Sequence, residues 1–282
     1  MSTPPNVKAL RRAVEEAAAR RSVGPGRLQY TIASTIALQM VPEGAAKGGG
    51  AIRQRTNETE ARLTTDLDFA RVADLELDPF LDAYSDRLES GWAGFTGVLK
   101  AEKSKRPDDL PSEYVMDRFG IKLRYLDQPY CSVVLELVHS EIDSAEAAVE
   151  RLGTDIAEIF AEIGLPQPAP VRVLSAEHQI VQKIHACTGD AASGRAHDLI
   201  DIQILAAVED IDHAEIERIG RRLFAYRQRH SWPPIVVPHD GWDDLYLAAL
   251  ADLDNGLVLS TTDDAIAFVN RMIETAAASS EV

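Results

Sequence analysis

Two aspartates separated by one apolar residue form the pattern in this sequence that most directly suggests chemistry. Asp66 and Asp68 alternate with Leu67 and Phe69, so a β-strand would place both carboxylates on one face and both apolar side chains in the core. Two adjacent carboxylates repel each other, and a divalent cation relieves that repulsion. Oxygen ligands of this kind suit Mg²⁺ that bridges substrate phosphates. The alternative that this short pattern leaves open is an amphipathic strand with a wet acidic face.

A glycine-rich turn precedes the acidic pair. Lys47 is followed by Gly48-Gly49-Gly50, and Arg53 lies a few residues further on. Consecutive glycines can bring backbone N–H groups close to a phosphate and can adopt positive φ without strain. We therefore interpret this turn as a phosphate-binding element to which Lys47 and Arg53 add positive charge. A flexible turn without a ligand is the alternative.

A further acid, Glu136, interrupts the apolar segment Cys131–Val138, which has the pattern of a strand. This segment follows an alternating strand after a short turn, so we expect the two strands to pair antiparallel. A lone acid in an apolar strand is costly unless it is paired or binds a metal. Glu136 is therefore a possible third metal ligand beside Asp66 and Asp68, and an outward-facing acid on an edge strand is the alternative.

The C-terminal half contains a second polar constellation on two predicted helices. Lys183 lies on the first helix, and Asp198 and Asp201 lie three residues apart on one face of the second. Asp198 complements the dipole of a first helical turn, but Asp201 lies past that turn among apolar residues and needs a cation. A structural Lys183–Asp201 pair is one interpretation. The other makes Lys183 a phosphate ligand and Asp201 its orienting residue or a general base.

A run of basic residues predicts where a nucleic acid would bind. Five arginines occur between residues 218 and 229, and residues 218–230 contain no acid. On a helix over 212–229, three of them would share a face and one would lie to the side, with Tyr226 and Trp232 nearby as stacking surfaces. A solvated helix face is the alternative. The predicted RNA-binding residues are Arg218, Arg221, Arg222 and Arg229, of which Arg221 is the one to the side.

Composition limits the class of protein. The chain has 282 residues, 45% hydrophobic and 26% charged, which is enough to bury a normal core in one large or two ordinary domains. Its net charge of −16 repels nucleic acid on average, so an RNA substrate requires a local basic patch. Two cysteines give no disulfide framework, and we find neither a signal peptide nor an apolar run long enough for a membrane span. These features predict a cytoplasmic protein without a membrane partner.

Hydrophobic periodicity predicts two parts of different character. Residues 1–142 combine helices with strands, and residues 143–282 are almost wholly helical. An acidic amphipathic helix is expected over 144–164, just after the boundary. The fold class is therefore α+β (α/β), with a mixed sheet in the first part and a helical bundle in the second.

Taken together, the glycine turn, a short helix and the D-x-D strand resemble the active-site signature of the nucleotidyltransferase superfamily that includes DNA polymerase beta. The whole ordered set is similar to the AbiEii/AbiGii toxin family of bacterial nucleotidyltransferases, and within it to the mycobacterial MenT branch. The resemblance covers roughly Leu10 to Arg271. Its motifs are Lys47-Gly48-Gly49, Thr64-Thr65-Asp66-Leu67-Asp68, Gln182-Lys183-Ile184-His185-Ala186, Arg195-Ala196-His197-Asp198-Leu199-Ile200-Asp201 and Arg229-His230-Ser231-Trp232-Pro233-Pro234.

This resemblance implies a two-lobed fold in which residues 1–142 form a polymerase-beta-like catalytic lobe and residues 143–282 complete the active-site cleft. It implies a toxin, encoded beside a cognate antitoxin, that uses a nucleoside triphosphate with Mg²⁺, or with Mn²⁺ in its place. MenT-like members add nucleotides to the 3′ end of tRNA, which blocks aminoacylation and translation. Carried over residue by residue, the metal ligands are Asp66 and Asp68, the nucleotide-binding set includes Thr65 and Lys183, and Asp201 is an essential acid. In some members a serine two residues before the first aspartate is phosphorylated. Here Thr64 occupies that position and Thr65 follows it, so both are candidate regulatory sites.

Two other functions remain open from the sequence. The first is nucleotidyl transfer to a protein hydroxyl or to a small molecule. The second, from another class, is a nucleotide-binding phage-defence module without transfer activity, although intact Asp66, Asp68 and Lys183 argue against it.

Overall fold

The computed structural model describes residues 3–102, 116–251, 253 and 256–279. The chain divides into two compact units. The first contains Met1–Glu58 and Leu63–Val173, and the second contains Thr59–Arg62 and Leu174–Val282. The short segment Thr59–Arg62 therefore packs with C-terminal residues, although its neighbours on both sides belong to the first unit.

A mixed β-sheet forms the centre of the first unit. Its described strands are β1 (Gly44–Ala46), β2 (Asp66–Arg71), β3 (Phe95–Ala101), β4 (Asp117–Tyr125), β5 (Gln128–His139), β6 (Val149–Arg151) and β7 (Val171–Val173). They lie in the order β3-β4-β5-β2-β1-β7-β6. The strand β2 pairs parallel with β5 and antiparallel with β1, and β4 pairs antiparallel with β5 as predicted. The D-x-D sequence thus lies in the middle of the sheet.

Helices cover the apolar side of this sheet. They are α1 (Val7–Arg20), α2 (Pro25–Met40), α3 (Gly48–Arg53), α4 (Leu77–Ser90) and α5 (Ile156–Glu162). The side chain of Asn6 accepts a hydrogen bond from Ala9 N and so caps α1, while Pro25 begins α2 with a backbone already suited to a helix. Leu28, Ile32 and Ile36 recur at helical spacing on α2, are fully buried, and pack in one core with Leu67 and Phe69 of β2.

The division between the units lies later than the predicted boundary near residue 142. Residues 149–173 belong to the first unit because β7 pairs parallel with β1, and β6 pairs antiparallel with β7. The prediction of one helix over 144–164 is wrong. Turns and β6 occupy most of that range, and the helix α5 is short because the preceding Val149 pairs with Val173 at the sheet edge.

The second unit is helical in its described part. Its helices are α6 (Ala176–Cys187), α7 (Ala196–Val208), α8 (His213–Arg227), α9 (Trp242–Leu250) and α10 (Thr262–Ala278). Helix α7 has buried side chains all around its axis, including Leu199, Ile200, Ile202 and Ile204, so it is the central helix of the bundle. In the part of the chain that the structure describes, we find no helix with the length and apolar character that a membrane crossing requires.

Candidate active site

The acidic pair lies on β2 as its alternation predicts. Leu67 and Phe69 are each 1% exposed, whereas Asp66 and Asp68 lie half-buried on the opposite face. The backbone N–H of Lys47 donates a hydrogen bond to the carbonyl oxygen of Asp68 at 2.9 Å. The start of the glycine turn is therefore joined directly to the strand that carries the carboxylates.

The glycines of this turn are required by close packing against the acidic strand. Gly48 has φ of +60°, and a Cβ atom built on it would lie 2.1 Å from Oδ2 of Asp68. A Cβ on Gly49 would lie 3.0 Å from Cβ of Thr64. The turn continues into α3, whose first residue is Gly48, so the backbone N–H groups at the start of that helix lie next to Asp68. Only glycine fits at position 48 without displacing the carboxylate.

Glu136 lies beside the acidic pair, as predicted for a third carboxylate. In the parallel pairing of β2 with β5, Asp68 is directly opposite Glu136. Burial raises the pKa of Glu136, and the negative charges of Asp68 and Asp66 raise it further. The alternative that places Glu136 on an edge strand is wrong, because β5 has β4 on one side and β2 on the other.

An arginine that the sequence analysis missed contacts this acidic cluster. Nη2 of Arg118 lies 3.2 Å from Oδ1 of Asp66, and its Nη1 lies 3.5 Å from Oε1 of Glu136. Arg118 is directly opposite Glu136 in the antiparallel pairing of β4 with β5. The signal for this contact is the cross-strand register, which the sequence alone does not supply.

A tyrosine from α2 also approaches the carboxylates. The hydroxyl oxygen of Tyr30 is buried and has no hydrogen-bond partner within residues 3–102, 116–251, 253 and 256–279. Burial raises the pKa of Tyr30, and the charges of Asp66, Asp68 and Glu136 add to this effect. The side chain therefore remains a neutral hydroxyl at the edge of an acidic site. Nothing in the local sequence around Tyr30 indicates this placement.

The donor set has the chemistry of a Mg²⁺ site, since carboxylate oxygens on neighbouring strands are ligands that this ion prefers. However, no group of three or more His, Cys, Asp and Glu side chains is arranged to hold a metal ion among the residues that the structure describes. The ion pairs from Arg118 to Asp66 and Glu136 are consistent with this. The metal-binding roles of Asp66, Asp68 and Glu136 stay predictions.

Arg53, predicted to bind the nucleotide, is 6% exposed and has internal partners. Its guanidinium donates to Glu58 at 3.0 Å, to the carbonyl of Thr56 at 2.8 Å and to Asp155 at 2.7 Å. These contacts stabilise the end of α3 and the loop that follows it. A phosphate contact by Arg53 stays a prediction that would require the side chain to leave these partners.

The two threonines before the acidic pair differ in accessibility. Thr64 is half-buried and donates a hydrogen bond to the carbonyl oxygen of Asp66 at 3.1 Å. Thr65 is exposed, and its hydroxyl lies 3.4 Å from Oδ2 of Asp66. Both hydroxyls are close enough to the first carboxylate for a phosphate on either one to add negative charge there.

In the second unit, Lys183 lies between the two predicted acids. Its Nζ is 2.8 Å from Oδ1 of Asp198 and 2.7 Å from Oδ2 of Asp201. Burial alone would lower the pKa of Lys183, but the two carboxylates outweigh burial and raise it above its usual value. Asp201 has a pKa below its usual value, because its cations outweigh the opposing effect of burial. Lys183 and Asp201 therefore stay ionised at neutral pH.

Arg62 completes this cluster and was not predicted from the sequence. Its Nε and Nη2 donate to the two oxygens of Asp201 at 3.0 and 2.9 Å, which is the bidentate geometry of a strong arginine–carboxylate pair. Asp201 thus holds the segment Thr59–Arg62 within the second unit, immediately before the chain enters the acidic strand. Roles of Lys183 and Asp201 in catalysis stay predictions.

The observed arginine surface differs in part from the predicted one. Helix α8 ends at Arg227, because Gln228 adopts a left-handed conformation with φ of 52°. Arg229 lies beyond the helix, so the prediction that it shares a helical face with Arg218 and Arg222 is wrong. All four predicted RNA-binding arginines, including Arg221, are nevertheless exposed.

Two acids of the preceding turns pair with this surface. Glu215 forms a salt bridge with Arg218, and Glu217 forms one with Arg221. The indole N–H of Trp232 also donates to Glu217, and a Cβ on Gly220 would lie 2.6 Å from the Trp232 ring. Trp232 is therefore half-buried, with one side of its ring packed on α8.

One known protein family matches most of this chain. The AbiEii family profile, described as nucleotidyl transferase AbiEii toxin of a type IV toxin–antitoxin system, matches residues 46–278. The chain belongs to the AbiEii nucleotidyltransferase toxin family. As a member of the AbiEii family it is a nucleotidyltransferase, and the match includes the glycine turn, the acidic strand and the helical unit.

The fold of this AbiEii-family protein is similar to that of MenT4, a nucleotidyltransferase toxin from Mycobacterium tuberculosis H37Rv. The TM-score is 0.56 at 17% sequence identity, and the match covers 95% of this chain and 89% of MenT4. The likeness concerns the fold, and it confirms the predicted α+β nucleotidyltransferase architecture. No curated protein sequence matches the chain significantly.

Proposed function

We propose that this toxin transfers nucleotides from a nucleoside triphosphate to the 3′ end of tRNA, which blocks aminoacylation and so translation in the cytoplasm. The observation that carries the proposal is the position of Asp66, Asp68 and Glu136. Asp66 and Asp68 lie on β2, and Glu136 lies on the neighbouring β5 directly opposite Asp68. The glycine turn packs against Asp68. This arrangement suits a bound triphosphate and the metal that accompanies it.

Nucleotidyl transfer is the in-line attack of a hydroxyl on the α-phosphate, with pyrophosphate as the leaving group. Mg²⁺, or Mn²⁺ in its place, would supply Lewis-acid polarisation of the phosphate and a lower pKa of the attacking hydroxyl. Asp66 and Asp68 would hold the metal, with Glu136 as the neighbouring third carboxylate. The backbone N–H groups of Gly48 and Gly49 would bind phosphate oxygens, with added charge from Lys47.

Lys183 is proposed as a triphosphate contact and Asp201 as the acid that orients it. The salt bridges observed between Lys183, Asp198 and Asp201 support the orienting role. They are equally the contacts that a purely structural cluster would make. Replacement of Lys183 by methionine separates these two roles.

The choice of RNA as acceptor rests on exposed arginines in a chain of net charge −16. Arg222 and Arg229, together with Arg218 and Arg221, would bind phosphates of the tRNA. The acids Glu215 and Glu217 already pair with two of these arginines. Phosphate binding at Arg218 and Arg221 would therefore compete with internal salt bridges.

The test uses each labelled nucleoside triphosphate in turn with total RNA, Mg²⁺ and the protein. We expect label in tRNA-sized RNA. We expect none with Asp66→Asn, with a chelator, or with tRNA whose 3′ ribose has been oxidised by periodate. Label in protein or in a small product would favour the alternative acceptors, and absence of any label would favour a nucleotide-binding module.

Membership of the family implies a cognate antitoxin, and we propose that it acts near the acidic strand. Thr65 is exposed and Thr64 half-buried, and both lie within hydrogen-bonding distance of atoms of Asp66. A phosphate on either hydroxyl would place negative charge beside the carboxylates and oppose triphosphate binding. Mass spectrometry of the toxin after co-expression with its antitoxin would detect such a group.

A further inference from the structure

The guanidinium of Arg118 contacts three carboxylates that come from three different parts of the sheet. Besides its contacts with Asp66 on β2 and Glu136 on β5, its Nε lies 3.4 Å from Oε2 of Glu102, which directly follows β3. Each nitrogen of the guanidinium therefore faces a different acid. A cation held in this way lies among the carboxylates that the proposed function assigns to the metal.

The backbone around Arg118 is built to bring Glu102 to it. The N–H of Glu102 donates to the carbonyl oxygen of Arg118 at 2.9 Å. The side chain of Glu102 passes over Gly120, where an added Cβ would lie 2.9 Å from Oε1. A larger residue at position 120 would push Glu102 away, so the glycine keeps open the space that the third contact needs.

Two cations do not share one pair of carboxylates without cost, because like charges at this separation repel. A divalent ion on Asp66 and Glu136 would meet the positive charge of Arg118 within a few ångströms. Glu102 is more exposed than Glu136 and follows the edge strand β3, on the side of β4 away from β5. It gives the guanidinium a carboxylate to keep when it leaves the other two.

We propose that Arg118 is a resident counter-cation of the acidic site, which a divalent metal displaces from Asp66 and Glu136 while Glu102 retains it. This inference rests on the proposed function, because that function assigns the metal to these carboxylates. In the metal-free protein Arg118 offsets the repulsion among the acids. In the metal-bound protein the metal offsets that repulsion. The free energy of metal binding therefore includes the cost of breaking the two arginine contacts.

The consequence is a defined change in metal affinity when Arg118 loses its charge. Arg118→Gln removes the competing cation, so Mn²⁺ is expected to bind more tightly. The Arg118 side chain is 41% exposed, so each ion pair removed has a small effect and the two together give a gain of roughly fivefold to tenfold. The same variant is expected to unfold at a lower temperature than the wild type in a chelator, but not in saturating Mn²⁺.

The matched control is Lys122→Gln. Lys122 lies on the same strand and the same face as Arg118, four residues further along. The substitution therefore removes the same charge at about 13 Å from Arg118. At physiological salt that distance exceeds the screening length, and the control is expected to leave Mn²⁺ affinity within about twofold of wild type.

The experiment measures Mn²⁺ binding by electron paramagnetic resonance and thermal unfolding with and without Mn²⁺, on the full chain and without substrate. Equal Mn²⁺ affinity of wild type and Arg118→Gln, or weaker binding by the variant, would overturn the inference and leave the proposed function standing. If the wild type bound no Mn²⁺, or if Asp68→Asn bound it as well as wild type, the metal assignment itself would fail. If Arg118→Gln does not fold, Arg118→Lys replaces it. Lysine keeps the charge but loses the three-way geometry, so a smaller gain in affinity is expected and no gain would refute the displacement.

Discussion

Replacement of Lys183 by methionine separates a catalytic role from a structural one. The change keeps an apolar stem of similar length but removes the ammonium that contacts Asp198 at 2.8 Å and Asp201 at 2.7 Å. The Lys183 side chain is only 11% exposed, so both contacts are shielded from water. The question is how far stability and activity each decrease.

The structure sets the size of the stability loss. Removal of one partner from a buried ion pair costs about 3–5 kcal/mol, because the remaining charge is left uncompensated. Asp201 would keep both hydrogen bonds from Arg62, whereas Asp198 would keep the more distant Arg195 at 3.7 Å. We therefore expect the lower end of that range, about 3 kcal/mol. A protein of ordinary stability stays folded after such a loss.

The activity loss distinguishes the two roles. A phosphate contact that strengthens in the transition state contributes about 10²-fold or more to the rate, and a structural ion pair contributes nothing once the protein is folded. The assay is single-turnover nucleotide transfer at a temperature where urea unfolding shows wild type and Lys183→Met both folded. We expect the rate of the variant to fall by about 10²-fold or more.

Two results would refute this reasoning. If Lys183→Met unfolds at lower urea concentration but transfers nucleotides at nearly the wild-type rate, Lys183 is a structural residue and the triphosphate role is wrong. If it is as stable as wild type, the buried ion pair does not contribute as the geometry requires. Arg195→Met is the matched control, because Arg195 lies 3.7 Å from Asp198 and is 49% exposed. It is expected to change neither quantity strongly.

Three other predictions follow from the site geometry. Asp68→Asn should abolish transfer while equilibrium unfolding shows a fold as stable as wild type, since a crowded carboxylate is removed; residual transfer near the wild-type rate would contradict the metal assignment. Gly48→Ala should reduce the transfer rate by about tenfold or more, because its Cβ would lie 2.1 Å from Asp68. Gly50→Ala, whose Cβ would meet Leu67 at 3.4 Å, should reduce the rate only slightly. Equal rates for the two variants would show that the turn has room to adjust. The double change of Arg221 and Arg222 to alanine should weaken tRNA binding, with nucleotide binding spared. It should also flatten the salt dependence of that binding, by on the order of one unit in the log–log slope for each phosphate that is no longer neutralised; an unchanged slope would place the RNA elsewhere.

Much of the local structure follows from neighbouring residues, and the sequence therefore predicted it. The alternation around Asp66 and Asp68 gives a strand with two apolar and two acidic positions on opposite faces, which is the observed burial pattern of β2. The helical spacing of Leu28, Ile32 and Ile36 likewise matches the buried face of α2. Periodicities of this kind depend only on how side chains project from a strand or a helix.

The errors arose where distant parts of the chain compete with local preference. Residues 144–164 have the composition of an acidic helix, but pairing of Val149 with Val173 at the edge of the sheet produces a strand there instead. Arg229 lies beyond α8, since the helix ends in a left-handed residue for which the flanking sequence offers no glycine signal. The strand at Val149 depends on a tertiary pairing that outweighs local propensity.

The ion pairs of the two polar clusters were decided by the tertiary structure alone. The sequence determined that Asp66, Asp68 and Glu136 are acids on strands, and that Lys183 and Asp201 are polar residues on apolar helices. It did not determine that Arg118 lies opposite Glu136 or that Arg62 binds Asp201, because those contacts join residues 18 and 139 positions apart. A residue's own periodicity sets which face of an element it occupies, whereas strand register and helix packing set which charge it meets on that face.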